Sequence, residues 1–169
     1  MNQKFNICVV TYPIALAGIT PLSNLIYCLS ELSNSIYLIT GNYGKTVLNT
    51  ISGIQGYSMD FRRNTFLPLE AFRHILLQVK FTYHILKINR HTDIYLYFMG
   101  ESLVLPSIIC KFLRKPVIWI MASSVAKIYK NDRSITARLF VAEAKINYEL
   151  ADKIVIYSPK LIEEWEIKK

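Results

Sequence analysis

Two short phrases hold the residues best suited to a polar ligand: Gly18 ahead of Thr20-Pro21, and Gly100-Glu101 after the run Ile94-Tyr95-Leu96-Tyr97-Phe98. A glycine just before a helix lets backbone N–H groups and the positive end of the helix dipole meet a phosphate or diphosphate. The same glycine serves equally as a turn residue of positive φ, since neither a GxGxxG fingerprint nor a Walker lysine accompanies it. Glu101 is the carboxylate best placed to touch a polar substrate or to accept a proton. As an acid in the first turn of a helix it would also simply complement the dipole. Ser123 and Ser124 follow a further apolar run, where their hydroxyls can bond a ligand hydroxyl or cap what comes next. The catalytic residue is left unassigned.

The cations form two groups. On a helix at ~100° per residue, Arg73, Lys80, His84, Lys87 and His91 fall within ~60° of one another, so they make one stripe. Residues 111–138 hold seven cations, among them Lys111, Arg114, Lys115 and Arg138, against the single acid Asp132. Aromatic and aliphatic neighbours interleave with them, which suits either an anionic lipid surface or an ordinary solvated face. Nucleic acid is the poorer partner, because no helix-turn-helix, RRM or zinc-finger pattern accompanies the charge.

Other chemistries find no footing. His74, His84 and His91 are spaced by ten and seven residues, which gives no i, i+4 metal pair, and they are expected at the surface. Cys8, Cys28 and Cys110 lie inside apolar stretches and are expected as buried free thiols, neither a disulfide framework nor a zinc site. There is no Gly-x-Ser-x-Gly elbow. No acid ends the second strand, which speaks against a nicotinamide dehydrogenase. Neither a metal nor a cofactor is expected.

The elements that must position these residues alternate. Strands are predicted over 5–11, 35–40, 93–98, 116–121 and 153–157, with a weaker one near 57–59. The first helix begins at Thr20-Pro21, with threonine as N-cap and proline at the first helical position. Others are predicted over 69–90, 102–113 and 134–150, and Ser158-Pro159 opens a last one. Apolar strands separated by helices predict an α/β, Rossmann-like domain with a mainly parallel sheet covered on both faces. Ligands of such sheets bind beyond the carboxyl ends of the strands, where Gly18, Gly41, Gly44 and Gly100 all fall. Their concentration there predicts a close approach of backbone to something.

The 169 residues, 52% of them hydrophobic, suffice for one core and predict one domain over 1–169. The formal charge of +8 and mean hydropathy of +0.26 predict a partner for the surface. The N-terminus lacks a signal peptide's long apolar region, and no run approaches the ~18 apolar residues of a span. A cytoplasmic protein is expected, peripheral on the inner face of the membrane if it meets one.

Several phrases resemble the N-terminal half of a family-4-like glycosyltransferase of the two-domain GT-B fold. They are Ile7-Cys8-Val9-Val10-Thr11 leading to Gly18, Asp93-Ile94-Tyr95-Leu96-Tyr97, and Arg114-Lys115-Pro116-Val117-Ile118-Trp119. The closing phrase Glu149-Leu150-Ala151-Asp152-Lys153-Ile154-Val155-Ile156-Tyr157-Ser158 is the most specific. The resemblance implies an acceptor-binding domain for a sugar or lipid-linked acceptor, with the nucleotide-sugar donor held by a C-terminal domain. That domain carries the family's Glu-x₇-Glu motif and diphosphate-binding cations. This chain is expected to stop near the interdomain boundary, to be inactive alone, and to need a second half, on a separate chain if the enzyme is split. The alternative is a noncatalytic Rossmann-like binding or scaffold domain at a membrane or on a protein partner.

Overall fold

A computed structural model describes residues 4–62, 66–121 and 134–157. Six parallel strands, β1 (Phe5–Val10), β2 (Ser33–Gly41), β3 (Ile54–Met59), β4 (Ile94–Phe98), β5 (Val117–Met121) and β6 (Lys153–Ile156), form one sheet in the order β3-β2-β1-β4-β5-β6. Among the described residues five α-helices connect them: α1 (Ile19–Ser30), α2 (Gly44–Thr50), α3 (Leu67–Ile88), α4 (Val104–Phe112) and α5 (Ile135–Leu150). The expectation of an α/β, Rossmann-like domain with a mainly parallel sheet is met, and the sheet is parallel throughout. The chain runs outward from β1 to β3, then α3 carries it back to lay β4 against the other side of β1. Strand order therefore reverses between β1 and β4, which opens a crevice at their carboxyl ends.

Alternation along the strands divides the core in two. Cys8, Val10, Tyr95, Tyr97, Val117 and Trp119 face Leu77, Phe81 and Ile85 of α3 and Cys110 of α4. Ile7, Val9, Leu38, Leu96 and Phe98 face Leu22, Ile26 and Leu29 of α1 and Val47 of α2. Double coverage is why the strands read as continuous apolar runs. Cys8 and Cys110 are buried thiols, and burial pushes both upward, Cys110 to about 12. Cys28 corrects the expectation of three buried thiols: it lies on the solvent side of α1 and is exposed.

One helix start and one whole helix differ from the reading of the sequence. α1 starts at Ile19 behind Gly18, with no side-chain cap, so Thr20 and Pro21 belong to its first turn. α2 was not expected; the Asn42-Tyr43-Gly44 phrase reads as loop, yet the chain turns through it into two helical turns. Ser134 does cap α5, accepting from the Ala137 N–H at 3.2 Å. The helix expected from Ser158 lies outside the described residues.

Candidate functional site

The carboxyl ends of β1, β2 and β4 are stitched together by the β1–α1 loop. Thr11 N–H donates to the Ile39 carbonyl at 3.0 Å and Tyr12 N–H to the Met99 carbonyl at 3.3 Å. Ile14 pairs with Asn42 in an isolated bridge. Two non-glycine residues here take left-handed backbone: Asn42 at φ 51° after β2 and Met99 at φ 52° after β4. Asn42 tolerates this region better than most residues. Its side chain also clamps the chain beyond β3, donating to the Phe61 carbonyl at 2.9 Å and accepting from the Phe61 N–H at 2.8 Å. Methionine has no such excuse, and strained backbone at a strand end is where ligand sites concentrate.

Between these ends lies a hollow of 340 Å³ lined by Tyr12, Pro13, Ile14, Ala15, Ala17, Gly18 and Met99. It occupies the switch point. At each loop glycine the place of a side chain is already taken by protein. A Cβ on Gly41 would strike the Met59 carbonyl, and one on Gly44 would strike Thr40. At Gly18 it would meet Ile14 at 3.0 Å, and at Gly100 Tyr97 at 3.1 Å. The Gly18 N–H is spent on the Ala15 carbonyl at 2.9 Å, and the Ile19 N–H on Leu16. Those two amides thus have their partners within the chain.

Glu101 sits partly buried in the turn between β4 and α4. Burial pushes its carboxyl upward, with its own backbone hydrogen bond opposing. Its carbonyl accepts from the Asn147 side chain at 2.9 Å, which ties α5 to the turn. Ser123 and Ser124 lie outside the described residues.

A larger groove of 450 Å³ opens between the first turns of α3 and α5. Leu67, Ile75, Ile135 and Leu139 form its mouth, each left exposed. At its floor His74 Nε2 meets Glu143 Oε1 at 3.0 Å and the Gln78 side chain at 3.1 Å. Gln78 in turn accepts from the Leu105 N–H at 2.8 Å, satisfying a donor at the start of α4. The Tyr12 ring lies 6.1 Å from His74 and 5.7 Å from Phe61, joining this floor to the switch-point crevice. His74 and Glu143 escaped the sequence reading, which put all three histidines at the surface. His74 is in fact mostly covered, and His84 stacks on Tyr57 at 4.0 Å. The i, i+4 spacing of His74 and Gln78 was visible; Glu143 is 69 residues from His74, and only the fold brings it there.

The expected anion contacts separate. Arg73 and Lys80 line a cleft of 380 Å³ with Arg62 and Asp60, and Lys87 lies over the Tyr57 ring at 5.2 Å. Lys111 pairs with Asp152, Lys115 donates to the Thr92 carbonyl at 2.7 Å, and Arg114 takes φ 55° just past the end of α4. These three serve the closure of the α4–β5 turn, at the opposite end of α4 from the crevice. Among the described residues no helix is long and apolar enough to cross a membrane, and no His, Cys, Asp and Glu cluster could hold a metal ion.

No protein-family model matches the chain, and no curated protein matches it by sequence. Solved structures do match in fold. Phytolacca americana UGT2, complexed with UDP-2fluoro-glucose and pterostilbene, superposes with a TM-score of 0.68 at 13% identity, over 97% of this chain and 50% of that one. Arabidopsis thaliana UGT89C1 complexed with UDP-L-rhamnose gives 0.66 at 11%, over 98% and 49%. Acinetobacter baumannii MurG gives 0.60 at 9%, over 93% and 42%. At such identities the likeness is one of fold. The neighbours are GT-B proteins, and this chain has the fold of one half of them. It spans about half their length.

Proposed function

We propose that the chain is the acceptor-side half of a glycosyltransferase, moving a sugar from a nucleotide-sugar donor to a lipid-linked or saccharide acceptor. One observation carries the reading: a β3-β2-β1-β4-β5-β6 sheet with a crevice at its switch point, matching half of each GT-B neighbour. Family-4 character stays part of the proposal, on the phrases that resemble it.

Sugar transfer needs an acceptor hydroxyl held close to the anomeric carbon, and dipoles or cations on the departing diphosphate. The crevice and the adjoining α3–α5 groove suit the first task. Gly18, Gly100, Glu101, Ser123 and Ser124 are its acceptor contacts in this reading. The second task falls to a donor-side domain, because the Gly18 and Ile19 amides are already bonded within the chain. That division makes the chain alone inactive. Its other partner is an anionic membrane surface, met peripherally through Arg73, Lys80 and Lys87, with Lys111, Arg114 and Lys115 as further cations.

The test is UDP release from UDP-hexoses by the chain alone, and by the chain supplied with a donor-side GT-B domain. Turnover only in the mixture supports the reading. Turnover by the chain alone, or neither association nor turnover in the mixture, contradicts it.

A further inference from the structure

The outer face of α3 carries a run of exposed apolar side chains. Phe72, Ile75, Leu76, Val79, Tyr83 and Leu86 are each 42–62% exposed. At ~100° per residue they share an arc of ~100°, a full apolar stripe turned away from the core instead of toward it. Scattered exposed apolar side chains are ordinary, whereas a continuous run of six marks a surface that something covers.

The borders of the stripe say what covers it. Arg73, Lys80 and Lys87 follow one edge, and α3's one acid, Glu70, is in its first turn. On that edge the cleft formed with Arg62 sets three cations against Asp60, with Leu76 shared between cleft and stripe. The Arg73 guanidinium is held at the cleft by donating to the Arg62 carbonyl at 3.3 Å. Ile75, on the other edge, belongs also to the α3–α5 groove. A second copy is a poor occupant, since antiparallel pairing of α3 with itself would bring two cationic edges together, and parallel pairing would set each against an edge without acids. Hydrocarbon flanked by cations fits the boundary between lipid headgroups and acyl chains.

We infer that α3 is a membrane seat: it lies in the plane of an anionic bilayer, with Phe72, Val79, Tyr83 and Leu86 among the acyl chains and the Arg62–Arg73–Lys80 cleft receiving a lipid phosphate. This deepens the membrane contact of the proposed function and rests on that contact, not on sugar transfer. It also sets the groove mouth at Ile75 against the lipid, where an acceptor with an apolar tail would enter.

The experiment is co-sedimentation of the full chain with phosphatidylcholine vesicles, with and without phosphatidylglycerol. The wild type should bind the anionic vesicles at least about tenfold more tightly. Phe72→Ser/Val79→Ser and Arg73→Glu/Lys80→Glu should each weaken that binding about tenfold or more, with unchanged circular dichroism. All four positions are exposed or only partly buried, so folding is spared. Vesicle binding that both double variants retain overturns the seat on α3 while leaving a membrane contact elsewhere. No vesicle binding by wild type, or self-association abolished by Phe72→Ser/Val79→Ser, overturns it in favour of bare solvent or a second copy. UDP release in the two-chain mixture with a water-soluble acceptor reads the transfer proposal separately.

Discussion

The inner and outer sides of α3 obey opposite rules. Toward the sheet it buries Leu77, Phe81 and Ile85, and toward α5 it hides hydrogen-bonding groups: Gln78 is buried, and His74 and Glu143 lie mostly covered, each bonded to the others. Toward solvent it displays hydrocarbon, from Phe72 to Leu86. A helix that served only the core would keep that outer face polar. The inner side is explained by the molecule itself, because Gln78 closes a bond to α4 and His74 one to α5. The outer side is the one for which we infer a membrane partner.

Truncation should separate the two sides most sharply. Phe81→Ala, at a fully buried position, is expected to cost about 3–5 kcal/mol in chemical denaturation. Phe72→Ala, one helix face away and 62% exposed, is expected to change stability by less than about 0.5 kcal/mol. Equal costs would mean that the outer stripe is packed within the isolated chain, and the comparison would collapse.

Next in size is the polar floor. Gln78→Leu removes the acceptor of the Leu105 N–H and is expected to cost about 1–3 kcal/mol, the penalty of an unsatisfied buried donor. Amide exchange at Leu105 should accelerate with it. A neutral Gln78→Leu would show that water replaces the side chain and that the floor is wetter than its burial implies.

The smallest effect concerns Glu101, on the turn that α5 grips. Its carboxyl is raised by burial, so in this range the unfolded chain holds fewer protons than the folded one. Stability therefore falls as pH climbs from the unfolded value, about 4.3, through the folded one. Glu101→Gln should consequently be more stable than wild type at pH 7, with the gain vanishing below about pH 4. A gain that persists in acid would mean that burial of charge is not its source.

The sheet was legible because strands covered on both faces write themselves as unbroken apolar runs, as at Ile7-Cys8-Val9-Val10 and Val117-Ile118-Trp119. β3 was half legible: Tyr57-Ser58-Met59 signalled it, but Ile54-Gln55-Gly56 on an edge strand carries little apolar signal. α2 was hidden behind Gly41-Asn42-Tyr43-Gly44, a phrase that spells a turn and does make one at Asn42. The glycines at the loop ends pointed to close approach, and Met59, Thr40 and Ile14 make part of it by filling the places of the missing side chains. Nothing local could reveal the His74–Glu143 pair. The exposed stripe on α3 was likewise invisible, because periodicity marks an apolar face without saying which way it turns.

The central claim, that this half holds the acceptor while another holds the donor, is tested most directly by blocking the switch-point crevice. Ala15 lines it and is exposed, so Ala15→Trp fills the space without touching the core. Measured in the mixture with a donor-side domain, sugar transfer to acceptor should fall by about a hundredfold while UDP-sugar binding stays unchanged. Transfer that proceeds as before, or donor binding lost together with transfer, would contradict the account.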